Sequence, residues 1–422
     1  MSEHDADSRK GLLPKTSRRS FLMGATALAA AAPAVAAARK AAGSAARRIL
    51  TYVGTYSAPQ GPEGAIGRGQ GIYLFEMNPA TGTLTPREVF PNDANPAWLV
   101  SDHDRTHLYS GNEIPTFQGM NTGSVSAYAI DRASGRLTLL NTVSSEGVGG
   151  PCHISIHPSG KWVFAANYHG GTIAVLPIGT NGQLGRAVDV IHDEGPLGHV
   201  PAASAPPGSF AISGHEKPHA HMIQSDPSGR FVISTDLALD RILIWRFDSA
   251  TGKLIPNDPA FVALPSGDGP RHFTFHPNGR WFYSLQEEAS TLVTYDYDAS
   301  AGRLTEKQSI SSLPKGFAGT NYTSEVLISA DGKFLYAANR LHDSIAWFAI
   351  SATGTLKFGG EEWTRGDYPR SFNIDPTGNF LYSCNQRADA VTAFRVNRQT
   401  GALTFTGQYT PVGTPAAIIF LT

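Results

Sequence analysis

The stretch PCHISIHPSGKWVFAANYHGGTIAVLPIGTNGQL, residues 151–184, is a run of short apolar segments separated by turns. Pro151 opens an alternating segment, and a Pro-Ser-Gly turn leads to a second segment at residues 162–166. A Gly-Gly pair leads to a third segment at residues 172–176, and Asn181-Gly182 leads into a fourth. Segments rich in β-branched and aromatic residues between Gly, Pro and Asn turns predict antiparallel β-strands.

The final turn of this stretch belongs to one of seven copies of the tripeptide Gly-x-Leu that follow one another at intervals of 53, 47, 70, 50, 52 and 47 residues. A period near 50 residues indicates a repeat architecture. Seven units of four strands predict an all-β fold, a seven-bladed β-propeller with four-stranded antiparallel blades. The alternative, a β-sandwich with extra strands, does not account for seven copies in register. The copies are Gly82-Leu84, Gly135-Leu137, Gly182-Leu184, Gly252-Leu254, Gly302-Leu304, Gly354-Leu356 and Gly401-Leu403.

The two ends of the repeat region complement each other. The first repeat begins at residues 49–53 with a segment that resembles a second strand, and it has no opening strand. Residues 415–420 resemble a first strand without a blade. We expect the C-terminal strand to complete the first blade and close the ring, which removes an exposed sheet edge.

Composition restricts the classes of function. The propeller accounts for about residues 48–422, and the chain carries 34 basic and 35 acidic residues for a net charge of -1. No stripe of Lys and Arg follows the repeats, so nucleic-acid binding is not predicted. Cys152 and Cys384 fall in blades that are not neighbours, so we expect no disulfide and interpret both as small core residues.

The N-terminus differs in character from the repeats. Arg18 and Arg19 precede a mild apolar run at residues 23–32, and the small residues 34–36 follow. This order predicts a twin-arginine signal at residues 1–36 and a flexible leader at 37–47, hence an exported, periplasmic or secreted protein. The run is too short and too rich in Ala for stable membrane insertion. The alternative is a disordered basic tail.

A ring of charged residues is expected at one mouth of the channel, because first strands start and second strands end on the same face of the disc. Arg and Glu are rarely buried unless they are paired or functional. A cationic mouth with acids and histidines predicts a site for an anionic small molecule. The residues are His219, His221, Arg271, Glu287, Glu325, Arg340 and Arg370.

A second set of polar residues occupies equivalent strand positions and supplies further candidate substrate contacts. For the Asn and Asp members, the alternative is a structural role in which the side chain bonds to its own backbone. For the histidines, the alternative is packing within the blade. The set is His153, Asn167, Asp236, His272, Asn339 and Asn385.

Three long segments, residues 57–70, 113–123 and 191–217, are expected to emerge on the same face, and long loops over a polar cavity are usually functional. His219 and His221 are compatible with a metal, but spacing identifies no further ligand. No phosphate-binding loop and no serine nucleophile elbow occurs, so we predict neither a metal nor another cofactor.

Several blocks of the chain resemble the seven-bladed propeller lactonase family, which includes the propeller type of 6-phosphogluconolactonase and the fungal carboxymuconate cyclase. In the cyclase, a His, two Arg and a Glu at the channel mouth are the proposed active-site residues. Two positions depart from the family pattern: Ala238 replaces a frequent Gly, and Gln286 replaces a typical Asn. The resemblance implies catalytic roles for Arg271, Glu287, Arg340 and either His219 or His221. The blocks are residues 150–153, 166–171, 218–221, 236–241, 269–279 and 336–340.

The resemblance implies a hydrolase that opens a small-molecule sugar lactone in carbohydrate metabolism, as 6-phosphogluconolactonase does. Glu287 or a histidine would activate water. Arg271 and Arg340 would stabilise the oxyanion or hold an anionic group of the substrate. Export argues for a lactone other than a cytosolic sugar phosphate. The alternatives are a cyclase-like lactone isomerase and a non-enzymatic propeller that binds a ligand or a protein.

Overall fold

The computed structural model describes residues 49–59 and 66–421, and it confirms the predicted seven-bladed propeller of four-stranded antiparallel blades. The proposed signal at residues 1–36 and the leader at 37–47 lie outside the described residues. Within the described part of the chain, no helix has the length and apolar character needed to cross a bilayer.

The first three blades follow one another along the chain, and the last of them includes a short 3₁₀ turn. Blade one contains β1 (Ile49–Thr55), β2 (Gly71–Met77) and β3 (Leu84–Pro91). Blade two contains β4 (Pro96–Ser101), β5 (His107–Asn112), β6 (Ser124–Ile130) and β7 (Leu137–Ser144). Blade three contains β8 (Pro151–Ile156), β9 (Trp162–Asn167), the 3₁₀ turn (Tyr168–Gly170), β10 (Thr172–Pro177) and β11 (Asp189–His192).

The remaining blades follow the same pattern, with two short strands between them. The two-residue strand β12 (Ser209–Phe210) precedes blade four, which contains β13 (Ala220–Ser225), β14 (Phe231–Asp236), β15 (Arg241–Asp248) and β16 (Lys253–Ala263). Blade five contains β17 (Pro270–Phe275), β18 (Trp281–Gln286), β19 (Thr291–Asp298) and β20 (Arg303–Ser311). After β21 (Gly319–Thr320), blade six contains β22 (Thr323–Ile328), β23 (Phe334–Asn339), β24 (Ser344–Ile350) and β25 (Leu356–Trp363). Blade seven contains β26 (Pro369–Ile374), β27 (Phe380–Asn385), β28 (Ala390–Val396) and β29 (Leu403–Pro411), and the chain then enters β30 (Pro415–Leu421).

The C-terminal strand closes the ring as predicted. Strand β30 pairs antiparallel with β1, and the register places Val53 opposite Ile418 and Thr51 opposite Phe420. The strand order of blade one is β3-β2-β1-β30, so the last strand of the chain takes the place of the missing first strand.

The recurring glycine joins neighbouring blades. Gly82 has a φ of +76°, and a Cβ there would lie 2.5 Å from the Phe380 ring of blade seven. The Tyr382 hydroxyl donates to the Gly82 carbonyl at 2.7 Å. A side chain at this position would therefore strain the backbone and displace the ring that packs against it. Gly252 repeats the arrangement against Trp162 of blade three.

Blade three differs from the predicted pattern after its third strand. Gly182 does not lead directly into the fourth strand, which begins only at Asp189. Ile178 instead forms an isolated bridge with Leu184, and the Gly185 amide donates to the Pro177 carbonyl at 2.9 Å. The chain thus makes a separate turn before it rejoins the sheet. As predicted, Cys152 and Cys384 are buried free thiols.

A β-bulge recurs near the start of the first strand of each blade. In β17, for example, the register shifts between Pro270 and His272, which leaves Arg271 as the extra residue. A bulge re-aims a side chain, and here it lies beside the end of the second strand of the same blade. The bulged residues are Ala97, Cys152, His221, Arg271, Ser324 with Glu325, Arg370 and Ala416.

Candidate active site

A cavity of about 220 Å³ lies where first strands begin and second strands end. Bulged residues supply part of its wall, and residues that directly follow second strands supply another part. Five of the residues expected at the channel mouth line it. The lining consists of Glu113, Tyr168, His169, Gly214, Glu216, His219, His221, Glu287, Arg340 and Arg370.

Glu287 is the central acceptor of a buried ion-pair network. Its Oε2 atom lies 2.7 Å from Arg271 Nε and 2.7 Å from Arg340 Nη2. Glu287 directly follows β18, Arg271 is the bulged residue of β17, and Arg340 directly follows β23 of the next blade. Burial lowers the pKa of Arg271, and the nearby Arg340 charge lowers it further. Arginine nevertheless stays charged at such sites, so the network holds two cations on one carboxylate.

Strand register separates the two histidines that the sequence left ambiguous. Ala220 faces the last residue of β14 as Pro270 faces the last residue of β18, so His221 corresponds to Arg271. Its Nδ1 atom has no hydrogen-bond partner among the described residues. Burial, reinforced by the Arg271 charge, holds the pKa of His221 well below its usual value. A neutral imidazole therefore borders the cavity.

His219 is held by its neighbours at both ring nitrogens. Its Nδ1 atom lies 3.0 Å from the Tyr168 carbonyl, and its Nε2 atom lies 3.1 Å from Glu216 Oε1. The ring also stacks on Tyr168 with 4.3 Å between centroids. Burial lowers the pKa of His219. His219 therefore forms part of the wall, whereas His221 keeps a nitrogen available.

The opposite wall carries a third arginine. Arg370 lies 3.6 Å from Glu113 Oε2 and packs over the ring of Tyr56 at 5.1 Å. The Tyr56 hydroxyl donates to the same Glu113 oxygen at 2.7 Å. Burial raises the pKa of Tyr56, so this hydroxyl remains a donor.

Part of the roof comes from the segment between β11 and β13. Gly214 and Glu216 of this segment line the cavity. The Tyr322 hydroxyl donates to the Ile212 carbonyl at 2.6 Å, and β12 pairs in parallel with β21. The segment is thus attached to the chain between blades five and six.

Three of the candidate contacts lie deeper than the cavity. His272 and Glu325 are buried, with His272 Nδ1 3.1 Å from Glu325 Oε1. Burial raises the pKa of Glu325 to about 8. His153 lines a separate cavity of about 610 Å³ bordered by later residues of the first strands, such as Thr274.

The four Asn and Asp candidates do not line the cavity. Asn385 Nδ2 donates to Thr392 Oγ1 at 2.9 Å, and Asn339 Nδ2 donates to Ser344 Oγ at 3.2 Å. Asn167 Nδ2 lies 3.4 Å from the Ser145 carbonyl. Asp236 accepts from the Leu239 amide at 3.0 Å, and burial raises its pKa to about 6. These bonds join strands and loops to one another, and only the bond of Asp236 is to nearby backbone as the structural alternative describes.

The candidate set lacked several lining residues. Glu113 and Tyr168 follow second strands as Glu287 does, so the expectation that second strands end at the channel mouth also applies to them. Tyr56, which contacts Glu113 but does not itself line the cavity, is the equivalent residue of blade one. The sequence did not indicate it because the first repeat has no opening strand of its own. Glu216 belongs to an irregular segment that carries no periodic signal. Among residues 49–59 and 66–421, no three His, Cys, Asp or Glu side chains are grouped so as to hold a metal ion.

Comparisons with known proteins agree with this architecture. Residues 50–420 match the family described as lactonase, 7-bladed beta-propeller. A 6-phosphogluconolactonase of Bacillus subtilis is 31% identical over 375 residues, which cover 89% of this chain and 99% of the relative.

Two solved structures are similar over most of their length. A periplasmic gluconolactonase of Pseudomonas aeruginosa is 29% identical with a TM-score of 0.78, over 89% of this chain and 99% of that one. A putative 6-phosphogluconolactonase of Bacteroides fragilis is 30% identical with a TM-score of 0.75, over 89% and 98% of the two chains. The chain therefore belongs to the lactonase family of seven-bladed β-propellers.

Proposed function

We propose that the protein hydrolyses an unphosphorylated sugar lactone in the 220 Å³ cavity. The observation that carries the proposal is the carboxylate of Glu287 holding two arginines beside the neutral imidazole of His221. Both Glu287 and His221 line the cavity. Hydrolysis of a cyclic ester needs a base for water and a cation for the oxyanion, and these residues supply both.

The reaction assigns one role to each group. His221 takes a proton from water as the oxygen attacks the lactone carbonyl, and Arg340 stabilises the negative charge that develops on the carbonyl oxygen. Glu287 orients Arg340 through its 2.7 Å contact, and Arg271 supports Glu287 from behind. The ring C–O bond then breaks, and the protonated His221 returns a proton to the leaving oxygen. The products are a hydroxy acid and, once its carboxyl group ionises, one proton.

The balance of charge favours a substrate without a phosphate. Three glutamates line the cavity, and their negative charges balance three positive charges. Two of these belong to arginines of the lining, and the third belongs to Arg271, which contacts Glu287. A phosphate dianion is recognised by cations that are not already balanced by carboxylates. Carboxylates and guanidinium groups also bond well to sugar hydroxyls. The Pseudomonas neighbour is called a periplasmic gluconolactonase, which agrees with this choice.

The N-terminal sequence supports the same substrate class. Arg18 and Arg19 with the Ala-rich run after them are typical of export in the folded state. We propose that the chain is cleaved near residue 37 and acts outside the cytoplasm, where sugar phosphates are scarce.

A direct assay tests the proposal. Acid release by the purified protein is measured by pH-stat with gluconolactone and with 6-phosphogluconolactone, above the spontaneous rates. We expect kcat/KM for gluconolactone to be higher by about tenfold or more. His221→Gln should lower kcat/KM by about 10²–10⁴-fold. The matched control is His103→Gln, at an exposed histidine in the turn between β4 and β5.

Each other outcome contradicts a stated part of the proposal. A preference for 6-phosphogluconolactone would refute the charge-balance argument. An unchanged rate in His221→Gln would refute the assignment of the base. NMR detection of a rearranged lactone in place of an open acid would identify an isomerase, as in the cyclase branch of the family. Binding of lactones without turnover would identify a non-enzymatic propeller.

A further inference from the structure

The guanidinium group of Arg340 has a carboxylate and two tyrosines as neighbours. Its Nη2 atom lies 2.7 Å from Glu287 Oε2, and its Nη1 atom donates to the Tyr368 hydroxyl at 3.1 Å. Its Cζ atom lies 5.1 Å from the ring centre of Tyr322 and 5.2 Å from that of Tyr368. A guanidinium group is planar and stays charged, so these neighbours determine its orientation and not its charge.

The blades themselves hold the tyrosine on one side of Arg340. Tyr368 is buried and has a φ of +65°, which is rare for a bulky residue. The Tyr368 amide donates to Asp343 Oδ1 at 2.8 Å, and the Gln386 amide donates to the Tyr368 carbonyl at 3.0 Å. A strained conformation persists only where its surroundings fix it, so this ring has a fixed position.

Tyr322 instead contacts both Arg340 and the roof of the cavity. It lies between β21 and β22, and its carbonyl accepts from the Arg340 amide at 2.7 Å. Its hydroxyl donates to the Ile212 carbonyl at 2.6 Å, two residues before Gly214 of the cavity lining. The Tyr322 side chain is only partly buried. It therefore spans the distance between the arginine assigned to the oxyanion and the segment that covers the cavity.

The roof is attached to the blades first by its backbone and then by side chains. Strand β12 pairs in parallel with β21, and the Asn321 amide donates to the Phe210 carbonyl at 3.3 Å. Beyond this pairing, the Ser213 hydroxyl donates to Glu288, and the Tyr322 hydroxyl donates to the roof backbone. The second of these attachments comes from a side chain that also packs against the guanidinium group of the site.

We propose that Tyr322 is a positioning residue, whose ring orients Arg340 toward the lactone carbonyl oxygen and whose hydroxyl holds the roof over the bound substrate. The inference rests on the proposed hydrolysis, because Tyr322 acts there through Arg340. The face of an aromatic ring attracts a guanidinium group. A cation that is already aligned needs no reorganisation when negative charge develops on the substrate. Loss of the ring should let Arg340 tilt, whereas loss of the hydroxyl alone should loosen the roof.

Two substitutions of the same side chain separate these roles in the full-length protein. Tyr322→Phe removes only the hydroxyl, so KM for gluconolactone should rise by about threefold while kcat stays close to that of the wild type. Tyr322→Leu also removes the ring, so kcat should fall by about tenfold or more. The control is Tyr409→Leu, at an exposed tyrosine of β29. A wild-type kcat in Tyr322→Leu would overturn the inference, as would an equal loss of kcat in the two Tyr322 variants.

A measurement without substrate separates failure of this inference from failure of the proposed hydrolysis. Exchange of the Arg340 Nε proton with water is followed by ¹⁵N-arginine NMR, and the signal is identified by its loss in Arg340→Lys. This exchange should be several-fold faster in Tyr322→Leu and unchanged in Tyr322→Phe, whereas amide exchange of residues 211–217 should rise in both variants.

The outcomes of this measurement do not depend on turnover. Wild-type exchange of the Arg340 proton in Tyr322→Leu would overturn the positioning role even if the protein hydrolyses lactones. Unchanged amide exchange of the roof in Tyr322→Phe would overturn the role of the hydroxyl. The full expected pattern would support the inference even if the substrate is another ester.

Discussion

His215 Nδ1 lies 3.0 Å from Glu288 Oε1, which brings an imidazole of the segment between β11 and β13 onto a carboxylate just after β18. The other ring nitrogen lies 3.9 Å from Asp240 Oδ1. Although burial opposes it, contact with Asp240 and Glu288 raises the pKa of His215 to about 10. The residues on either side of His215, Gly214 and Glu216, line the candidate cavity. This ion pair therefore stabilises the position of the segment between β11 and β13, which forms part of the roof of the site.

Replacing this imidazole should loosen the roof. Because the pKa of His215 is raised in the folded state, its charge stabilises that state fully below pH 6.5, and this stabilisation is lost as the pH rises through about 10. His215→Gln should increase hydrogen exchange of residues 205–217 at pH 7 and raise KM more than it lowers kcat. After correction for its intrinsic pH dependence, hydrogen exchange of this segment in the wild type should approach the exchange seen in the variant as the pH rises toward 10. The control is His199→Gln, at an exposed position of the same segment, and equal protection in both variants would contradict the prediction.

Glu287→Gln should disable catalysis, because Arg271 and Arg340 lose the charge that holds them together. We expect kcat/KM for the confirmed lactone to fall by about 10²–10³-fold. Thermal unfolding should also show a loss of about 3–5 kcal/mol, since breaking a buried pair leaves charges uncompensated. Glu88→Gln is the control, because Glu88 pairs with Arg136 on the surface. Activity close to wild type in a folded Glu287→Gln protein would exclude the arrangement.

Glu325→Gln should change how stability depends on pH. The raised pKa means that the folded state keeps a proton that the unfolded chain releases near 4.5, so wild-type stability falls between pH 4.5 and about 8. Glutamine stays neutral, so the variant should lack this decline. The free energy of unfolding of the variant should therefore rise relative to that of the wild type over that interval, by about a few kcal/mol. Melting temperatures of both proteins, recorded at each pH, measure this difference. A constant difference would show that Glu325 ionises normally.

Removal of residues 415–422 should sharply destabilise the protein. Strand β30 pairs with β1 and buries Ile418 and Leu421 in two different blade-to-blade cores. Loss of such side chains costs about 2–5 kcal/mol each, and the deletion also opens the edge of β1. Melting curves of the truncated and intact chains decide the question, and superimposable curves would be incompatible with closure of the ring by this strand.

We expect export to depend on Arg18 and Arg19, which lie outside the described residues. Changing Arg18→Lys and Arg19→Lys together should leave the precursor in the cytoplasm, because the twin-arginine route requires the arginine pair. Fractionation of a bacterial host, with the Lys10→Arg variant as the control, measures this. Normal export of the doubly changed precursor would be evidence for a different route or for a simple basic tail.

The sequence predicted the architecture because a single local requirement recurs in every blade. In each Gly-x-Leu copy the glycine packs against the preceding blade around the ring, on an aromatic or imidazole ring in every copy except Gly135, which meets two leucines. The spacing of the copies therefore counts blades directly. The expectation that all second strands end on one face also placed Glu287 and Arg340 together, since an antiparallel sheet leaves little freedom in where a second strand ends.

The same reasoning could not distinguish between neighbouring side chains at the bulges. Arg271 is the bulged residue of β17 and contacts Glu287, whereas the next residue, His272, lies deeper in the channel against Glu325. The bulge is a local shift of register, which no sequence period records. The segment that supplies Glu216 was also out of reach, because its position depends on contacts with distant blades.

The pairing of β30 with β1 sets the order of events during synthesis. Blade one lacks its innermost strand until β30 has been synthesised, so the other six blades can form while the ring is still open. Until then the edge of β1 remains available to other strands, which is a hazard for aggregation. A cell that exports this protein after folding would thus handle a propeller whose ring closes only after β30 has been synthesised.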